Sequence, residues 1–98
     1  MRVEFDDEDL ERLYRDREFR LSALGPELVK AFRKRVGYLE AALDKADIAA
    51  MRSNNLEKLQ ARGDDHSVRI NKQYRLIIRF AADSGGPKVI VVGIEDYH

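Results

Sequence analysis

The spacing of apolar residues changes once along the chain, and that change limits the folds available to it. Before Ser67 apolar side chains recur every three or four residues, which is the period of a helix packed by one face. From Ser67 onward apolar and polar residues alternate, which is the period of a half-buried strand. A helical half followed by an alternating half predicts an α+β domain. Two to three helices would pack on one face of a small, largely antiparallel sheet.

The first half predicts two main helices and a short third one. Asp6 or Asp7 can cap the first, because a carboxylate accepts the free amide hydrogens at a helix N-terminus. Gly25-Pro26 marks a break and a restart, with proline in the first turn of the next helix. Asp47 can cap a short helical turn through Met51. The apolar stripe of the second helix comprises Leu28, Val29, Phe32, Val36, Leu39 and Leu43.

The sheet is predicted from residues 1–5 and from the alternating half. Residues 1–5 suit a short edge strand, and residues 88–94 suit the last strand of a meander. A three-residue hairpin loop at residues 71–73 keeps apolar residues opposite apolar ones across the hairpin. That register places Arg69 opposite Arg75 on the open face of the sheet, the one without helices.

The net charge of the chain is zero, but the charges are segregated. Residues 1–18 hold eight acids and four bases, a net charge of −4. Residues 58–79 hold six bases and two acids, a net charge of +4. The neutral total argues against a uniformly basic nucleic-acid-binding domain, whereas the local excess in the second half suits an anionic partner.

Composition excludes several classes of protein and site. The chain has no cysteine, which excludes disulfides, thiolate metal sites and thiol nucleophiles. Neither a signal-peptide core nor an apolar run of the roughly 20 residues needed to span a bilayer is found. We therefore expect a cytoplasmic protein with no membrane partner, forming a single domain over residues 1–98.

A cluster of cations on the predicted sheet is the first candidate site. Arg69 and Arg75 side by side repel each other unless an anion bridges them, and a guanidinium can hold a phosphate through two hydrogen bonds. Lys72 at the hairpin tip would add to this region, as would Lys58 and Arg62 in the preceding loop. The alternative interpretation is a set of solvated charges that protects a strand from aggregation.

The last three residues are the second candidate site. They follow the final strand directly, and histidine, tyrosine and aspartate can exchange a proton, stack on a base and accept a hydrogen bond, respectively. These residues are Asp96, Tyr97 and His98. Metal binding is not expected, because the possible ligands match no known ligand spacing. Those possible ligands are Asp64, Asp65, His66 and His98.

Three segments of the second half together form a specific pattern. They read Leu-Glu-Lys-Leu at 56–59, His-Ser-Val-Arg-Ile-Asn-Lys-Gln-Tyr-Arg-Leu at 66–76 and Glu-Asp-Tyr-His at 95–98. The pattern resembles that of HigB-type toxins, which belong to the RelE/ParE superfamily of bacterial type II toxin–antitoxin systems. The resemblance covers about residues 55–98, and the first half is compatible in order and length with a RelE-like fold.

The resemblance implies a ribosome-dependent mRNA endonuclease that inhibits translation and growth. A helix-turn-helix antitoxin would silence it, and operator DNA would be contacted only through that antitoxin. No metal or other cofactor is implied, because the ribose 2′-OH attacks the adjacent phosphate directly. Matching positions imply acid, base and base-stacking roles for Asp96, Tyr97 and His98, phosphate stabilisation by Arg75 and Arg69, and contacts to the RNA backbone from Lys72, Lys58 and Arg62.

The sequence departs from the pattern of relatives in its loop phrase, at His66, where relatives often carry tryptophan, and in its neutral charge, since relatives are commonly basic. Glu57 stands in the loop phrase where HigB-type toxins often carry a histidine, so either Glu57 takes over its role or His98 carries more of the proton transfer. Two other functions are compatible with the same resemblance. One is a ParE-like toxin that poisons a protein, and the other is an inactive relative that only binds its antitoxin and regulates an operon.

Overall fold

The computed structural model describes residues 1–97. In that range it contains the strands β1 Arg2–Phe5, β2 Glu57–Lys58, β3 Asp65–Arg69, β4 Tyr74–Asp83 and β5 Gly86–Asp96. The helical elements are α1 Glu8–Arg15, α2 Pro26–Ala41, α3 Lys45–Ala50 and a 3₁₀ turn at Arg52–Asn54. The predicted order of a short strand, then helices, then a meander is confirmed.

The strands form one sheet in the order β1-β5-β4-β3-β2. β1 runs parallel to β5, and the other neighbouring strands are antiparallel. This is the predicted α+β fold with a mixed edge. The hairpin loop has the predicted length, because the Ile70 N–H donates to the Tyr74 carbonyl at 3.0 Å. Arg69 and Arg75 are therefore direct cross-strand neighbours, as predicted.

Helix α2 covers one face of the sheet. Its apolar stripe from Leu28 to Leu39 is buried, and Phe32 is fully enclosed. These side chains form one cluster with buried strand residues such as Leu76 and Ile78. The core thus lies between α2 and the sheet, which leaves the other face of the sheet for the candidate site. Within residues 1–97, no helix combines the length and the apolar character needed to cross a membrane.

Two predictions about the end of α2 are wrong. Leu43 is 78% exposed, because α2 ends at Ala41 and the apolar stripe ends with it. Asp47 does not cap the short helix α3. Asp44 does so, since its carboxylate accepts a hydrogen bond from the Asp47 N–H at 3.0 Å. The Asp47 carboxylate instead accepts from the Leu43 N–H at 2.8 Å, which closes the turn between the two helices.

Strand β5 is longer than the predicted strand over residues 88–94 and contains a bulge. Ile77 pairs with Gly93 while Ile78 pairs with Val91, so Val92 is the extra residue. A bulge shifts the alternation of side chains by one residue. Val91 and Ile94 therefore both face the core although they are three residues apart. The same shift places Glu95 opposite Arg75 on the other face.

Candidate functional site

Arg75 lies in a closed seat on the face of the sheet opposite the helices. The sequence predicts an open face there, but Arg75 is only 5% exposed and its neighbour Ile77 is also buried. Its Nε donates to Ser67 Oγ at 3.0 Å, and its Nη2 donates to the carbonyl oxygens of Asn55 at 2.5 Å and Ser67 at 3.3 Å. Segment 55–65 folds over this face, which is why the prediction of an open face is wrong. In this seat the buried guanidinium is held by hydrogen bonds to neutral oxygen atoms.

Tyr97 lies beside that guanidinium. Arg75 Cζ is 5.2 Å from the centre of the Tyr97 ring, a cation–π contact, and Tyr97 remains 48% exposed. The Tyr97 N–H donates to the Gln73 carbonyl at 2.6 Å, so the end of β5 is tied to the hairpin loop. A small hollow of about 50 Å³ opens here, lined also by Leu59 and Ile77. The site therefore combines a fixed cation with an accessible aromatic ring.

The carbonyl that holds Arg75 comes from a left-handed turn. Asn55 has φ 43° and ψ 57°, a conformation that asparagine tolerates better than most residues. Behind it, Arg35 on α2 donates from Nη1 to Asn54 Oδ1 at 2.6 Å, and Asn54 Nδ2 donates to the Ile48 carbonyl at 2.9 Å. Burial lowers the pKa of Arg35. This network connects the helical layer to the seat of Arg75.

Arg62 is engaged in a two-pronged ion pair with Glu95. The distances from its Nη1 and Nη2 to the two carboxylate oxygens are 2.9 and 2.6 Å. This hydrogen bonding raises the pKa of Arg62 and lowers the pKa of Glu95. Since Glu95 is the cross-strand partner of Arg75, the carboxylate nearest to that position in the register is already neutralised. Arg62 lies in the site, but its charge is already paired with that of Glu95.

The other predicted cations are divided between the two faces of the sheet. Arg69 is exposed beside Arg75, with its Nε donating to the Asn71 carbonyl at 3.3 Å, and Lys72 is exposed at the hairpin tip. Lys58 lies on β2 rather than in a loop and pairs with His66. The predicted grouping of Lys58 with Arg75 is therefore wrong, because strand alternation puts it on the face opposite to Arg75.

Glu57 lies on the same face as Arg75, because it pairs with Ser67. It is half-buried and accepts a weak hydrogen bond from Asn55 Nδ2 at 3.4 Å. Asp96 lies at the end of β5, where it pairs with Tyr74. Its carboxylate accepts a hydrogen bond from Gln73 Nε2 at 3.1 Å.

The remaining predicted residues concern histidine. His98, named as a catalytic candidate, lies outside the described residues. His66 is buried, with Nδ1 2.8 Å from the Asp64 carbonyl oxygen and its ring against the edge of Phe80. In the part of the chain that the structure describes, no three His, Cys, Asp or Glu residues are grouped so that they could hold a metal ion.

Three residues of the site are absent from the sequence predictions, although the sequence contains a feature that could have pointed to each of them. Ser67 lies two positions before Arg69, so the predicted register already put both on one face. Asn55 follows another asparagine, a residue type that favours left-handed turns. Arg35 lies three residues after Phe32 and four before Leu39, which is the spacing of the buried stripe.

Comparison with known structures identifies the class of fold. The structure of a YoeB/ParE toxin from Agrobacterium tumefaciens matches with a TM-score of 0.56 at 14% identity, covering 100% of both chains. The chain thus shares the fold of that toxin, a mixed sheet with helices on one face.

Comparison with sequence families is more specific. The profile described as "RelE-like toxin of type II toxin-antitoxin system HigB" matches residues 3–98. The chain belongs to this family of HigB-like toxins. No curated protein matches it.

Proposed function

We propose that this toxin is a ribosome-dependent mRNA endonuclease that inhibits translation in the cytoplasm. Membership of a type II toxin–antitoxin family entails an antitoxin partner, which we propose to be a helix-turn-helix protein that alone contacts operator DNA. The observation that carries the proposal is the buried guanidinium of Arg75, held by neutral acceptors beside the half-exposed ring of Tyr97.

The proposed reaction needs a fixed positive charge more than it needs a metal. The ribose 2′-oxygen forms a bond to the adjacent phosphorus while the bond to the 5′-oxygen breaks, leaving a cyclic phosphate and a 5′-hydroxyl. Negative charge grows on the phosphate oxygens, and a preorganised guanidinium such as that of Arg75 stabilises it without reorganising. Asp96 and His98 are the candidates that take the proton of the 2′-OH and return one to the leaving oxygen.

Recognition of the RNA is assigned to the residues around Arg75. The ring of Tyr97 offers a surface on which a base can stack. Arg69 and Lys72 are exposed on the hairpin, and both would bind phosphates of the RNA backbone. Arg62 would exchange Glu95 for a phosphate. Glu57 lies on the same face as Arg75 and would contact the RNA beside it, whereas Lys58 lies on the opposite face and stays outside this path.

The proposal is tested by expression and by substitution of Tyr97. Induced expression is expected to arrest bacterial growth and to cleave mRNA on ribosomes, and co-expression of the antitoxin should relieve both effects. Tyr97→Ala should reduce cleavage roughly 5- to 150-fold, since loss of base stacking costs about 1–3 kcal/mol. Tyr97→Phe keeps the ring and should retain most of the activity. Growth arrest with intact mRNA would point to a poisoned protein target, and harmless expression would contradict the proposal altogether.

Glu95 should oppose RNA binding, because it places a carboxylate beside Arg75 and occupies Arg62. Glu95→Gln is expected to tighten binding of a short single-stranded RNA by about three- to tenfold at low salt, measured by fluorescence anisotropy. Glu18→Gln removes the same charge from an exposed position elsewhere and is the matched control. Equal affinities for the two variants would show that Glu95 lies outside the RNA path.

The same ion pair has a defined pH dependence. The pKa of Glu95 is lowered by Arg62, so the contribution of the pair to stability is present above the carboxyl's unfolded pKa. It is lost as the pH falls through the lowered folded pKa. At neutral pH the carboxylate is therefore ionised, and the effect of Glu95→Gln should not change between neutral and mildly alkaline buffers.

A further inference from the structure

A second basic feature lies in the helical layer, on the other side of the molecule from Arg75. It is a hollow of about 680 Å³ between α2 and the segment that follows α1. We call it the basic hollow. It combines four cations with an apolar floor that includes two aliphatic side chains. The cations are Arg17, Arg20, Lys30 and Arg33, and the aliphatic residues are Leu24 and Val29.

Two arginines of the basic hollow, Arg20 and Arg33, are held in place without being neutralised. Arg33 Nε donates to the Leu13 carbonyl at 2.8 Å, and its Nη2 donates to further carbonyls of the segment after α1. Arg20 Nη1 donates to the carbonyl oxygens of Arg17 at 2.6 Å and Phe19 at 3.0 Å. Across residues 1–97, none of the ion pairs includes a cation of the basic hollow. Backbone carbonyls orient these charges but do not cancel them.

The segment that forms most of the basic hollow contains few acidic residues, and none of them lines the hollow. Residues 17–35 hold six bases and two acids, a net charge of +4, and neither Glu18 nor Glu27 lines the hollow. Tyr14, which does line it, donates its hydroxyl to Glu40 at 2.5 Å. Burial, aided by this hydrogen bond, raises the pKa of Tyr14 to about 12, so the phenol stays protonated and keeps Glu40 engaged. Within residues 1–97, the concave surface therefore carries positive charge that no acidic side chain lining it neutralises, and it suits a negatively charged partner.

We propose that the basic hollow is the docking site for an acidic, amphipathic segment of the antitoxin. Carboxylates of that segment would pair with Arg17 and Lys30, and an aliphatic side chain would cover Leu24 and Val29. The apolar floor favours a protein segment over RNA, because a sugar-phosphate backbone gains nothing from burying aliphatic surface. The antitoxin is the protein partner that the toxin family entails. The proposal goes beyond the ribonuclease function and stands without it.

Charge reversal within the hollow tests the proposal against charge reversal outside it. The test variant is Arg17→Glu/Lys30→Glu, which replaces two exposed side chains that make no hydrogen bond, ion pair or ring contact among residues 1–97. The control is Lys34→Glu/Arg52→Glu, which makes the same change of net charge at exposed positions that do not line the hollow. Binding of the purified antitoxin is measured by calorimetry in the absence of RNA at two salt concentrations.

The test variant is expected to lose at least about tenfold in affinity, with a weaker dependence on salt, while the control changes by less than about threefold. Thermal unfolding should be the same for both. Equal losses in the two variants would overturn the proposal, as would unchanged antitoxin binding by the test variant. A loss of ribosome binding by that variant, measured by cosedimentation, would then assign the hollow to RNA. Because this experiment measures antitoxin binding and not cleavage, its result can be interpreted even if the ribonuclease proposal fails.

Discussion

Replacing Arg75 with alanine should lower mRNA cleavage by roughly 10²- to 10³-fold, the usual effect of removing one preorganised donor from a developing anion. The fold fixes the Arg75 guanidinium, since Ser67 accepts from its Nε and Asn55 accepts from its Nη2. Arg75→Lys keeps the charge but loses the planar fork, so it should recover only part of the activity. The measurement is the cleavage rate on ribosomes, with growth arrest as the cellular readout.

Arg79 provides the matched control for Arg75. It lies four residues along the same strand, where Asp65 is bonded to it at 2.9 Å and Asp6 lies within 3.8 Å. Two carboxylates already occupy that guanidinium, so Arg79→Ala should leave cleavage within a few-fold of wild type. Both variants remove a partly or fully buried arginine, and thermal unfolding of each separates a loss of fold from a loss of chemistry. Equal losses of cleavage in equally folded proteins would show that Arg75 does not act on the phosphate.

Replacing Arg35 with alanine should lower the free energy of unfolding by about 2–4 kcal/mol. The substitution leaves the buried Asn54 Oδ1 without the donor 2.6 Å away, and it opens a void between α2 and the 3₁₀ turn. Lys34→Ala, the exposed neighbour, should change stability by no more than about 0.5 kcal/mol. Urea unfolding of the three proteins is the measurement. Equal stabilities for the two variants would remove Arg35 from the supports of the fold.

The consequences of Arg35→Ala should extend to the site. Asn54 precedes Asn55, whose carbonyl holds Arg75, so loosening Asn54 should displace that guanidinium. Arg35→Met fills the space without a buried charge and should recover part of the stability. It restores no hydrogen bond to Asn54, so cleavage should stay below wild type even where stability returns. Full recovery of both would show that Arg35 acts by packing alone.

Much of the fold could be predicted because it follows from local periodicity. The spacing of Leu28, Phe32 and Leu39 admits only a helix with one buried face. The hairpin register follows from keeping Ile70 and Tyr74 on the core face, and it correctly makes Arg69 and Arg75 neighbours. The end of α2 could not be read in this way. Leu43 continues the apolar spacing, but Asp44 starts a new helix and competes for the same turn.

By itself, the sequence determined the class of fold, the pairing of Arg69 with Arg75 and the segments that resemble HigB-type toxins, because each depends on residues close together in the chain. Only the tertiary structure decided how each charge is held and which charges are already neutralised. Arg75 is buried by a segment 20 residues before it, Arg62 is neutralised by Glu95 33 residues away, and the basic hollow joins residues from both sides of a loop. Such long-range contacts depend on where whole elements pack, which no local period encodes.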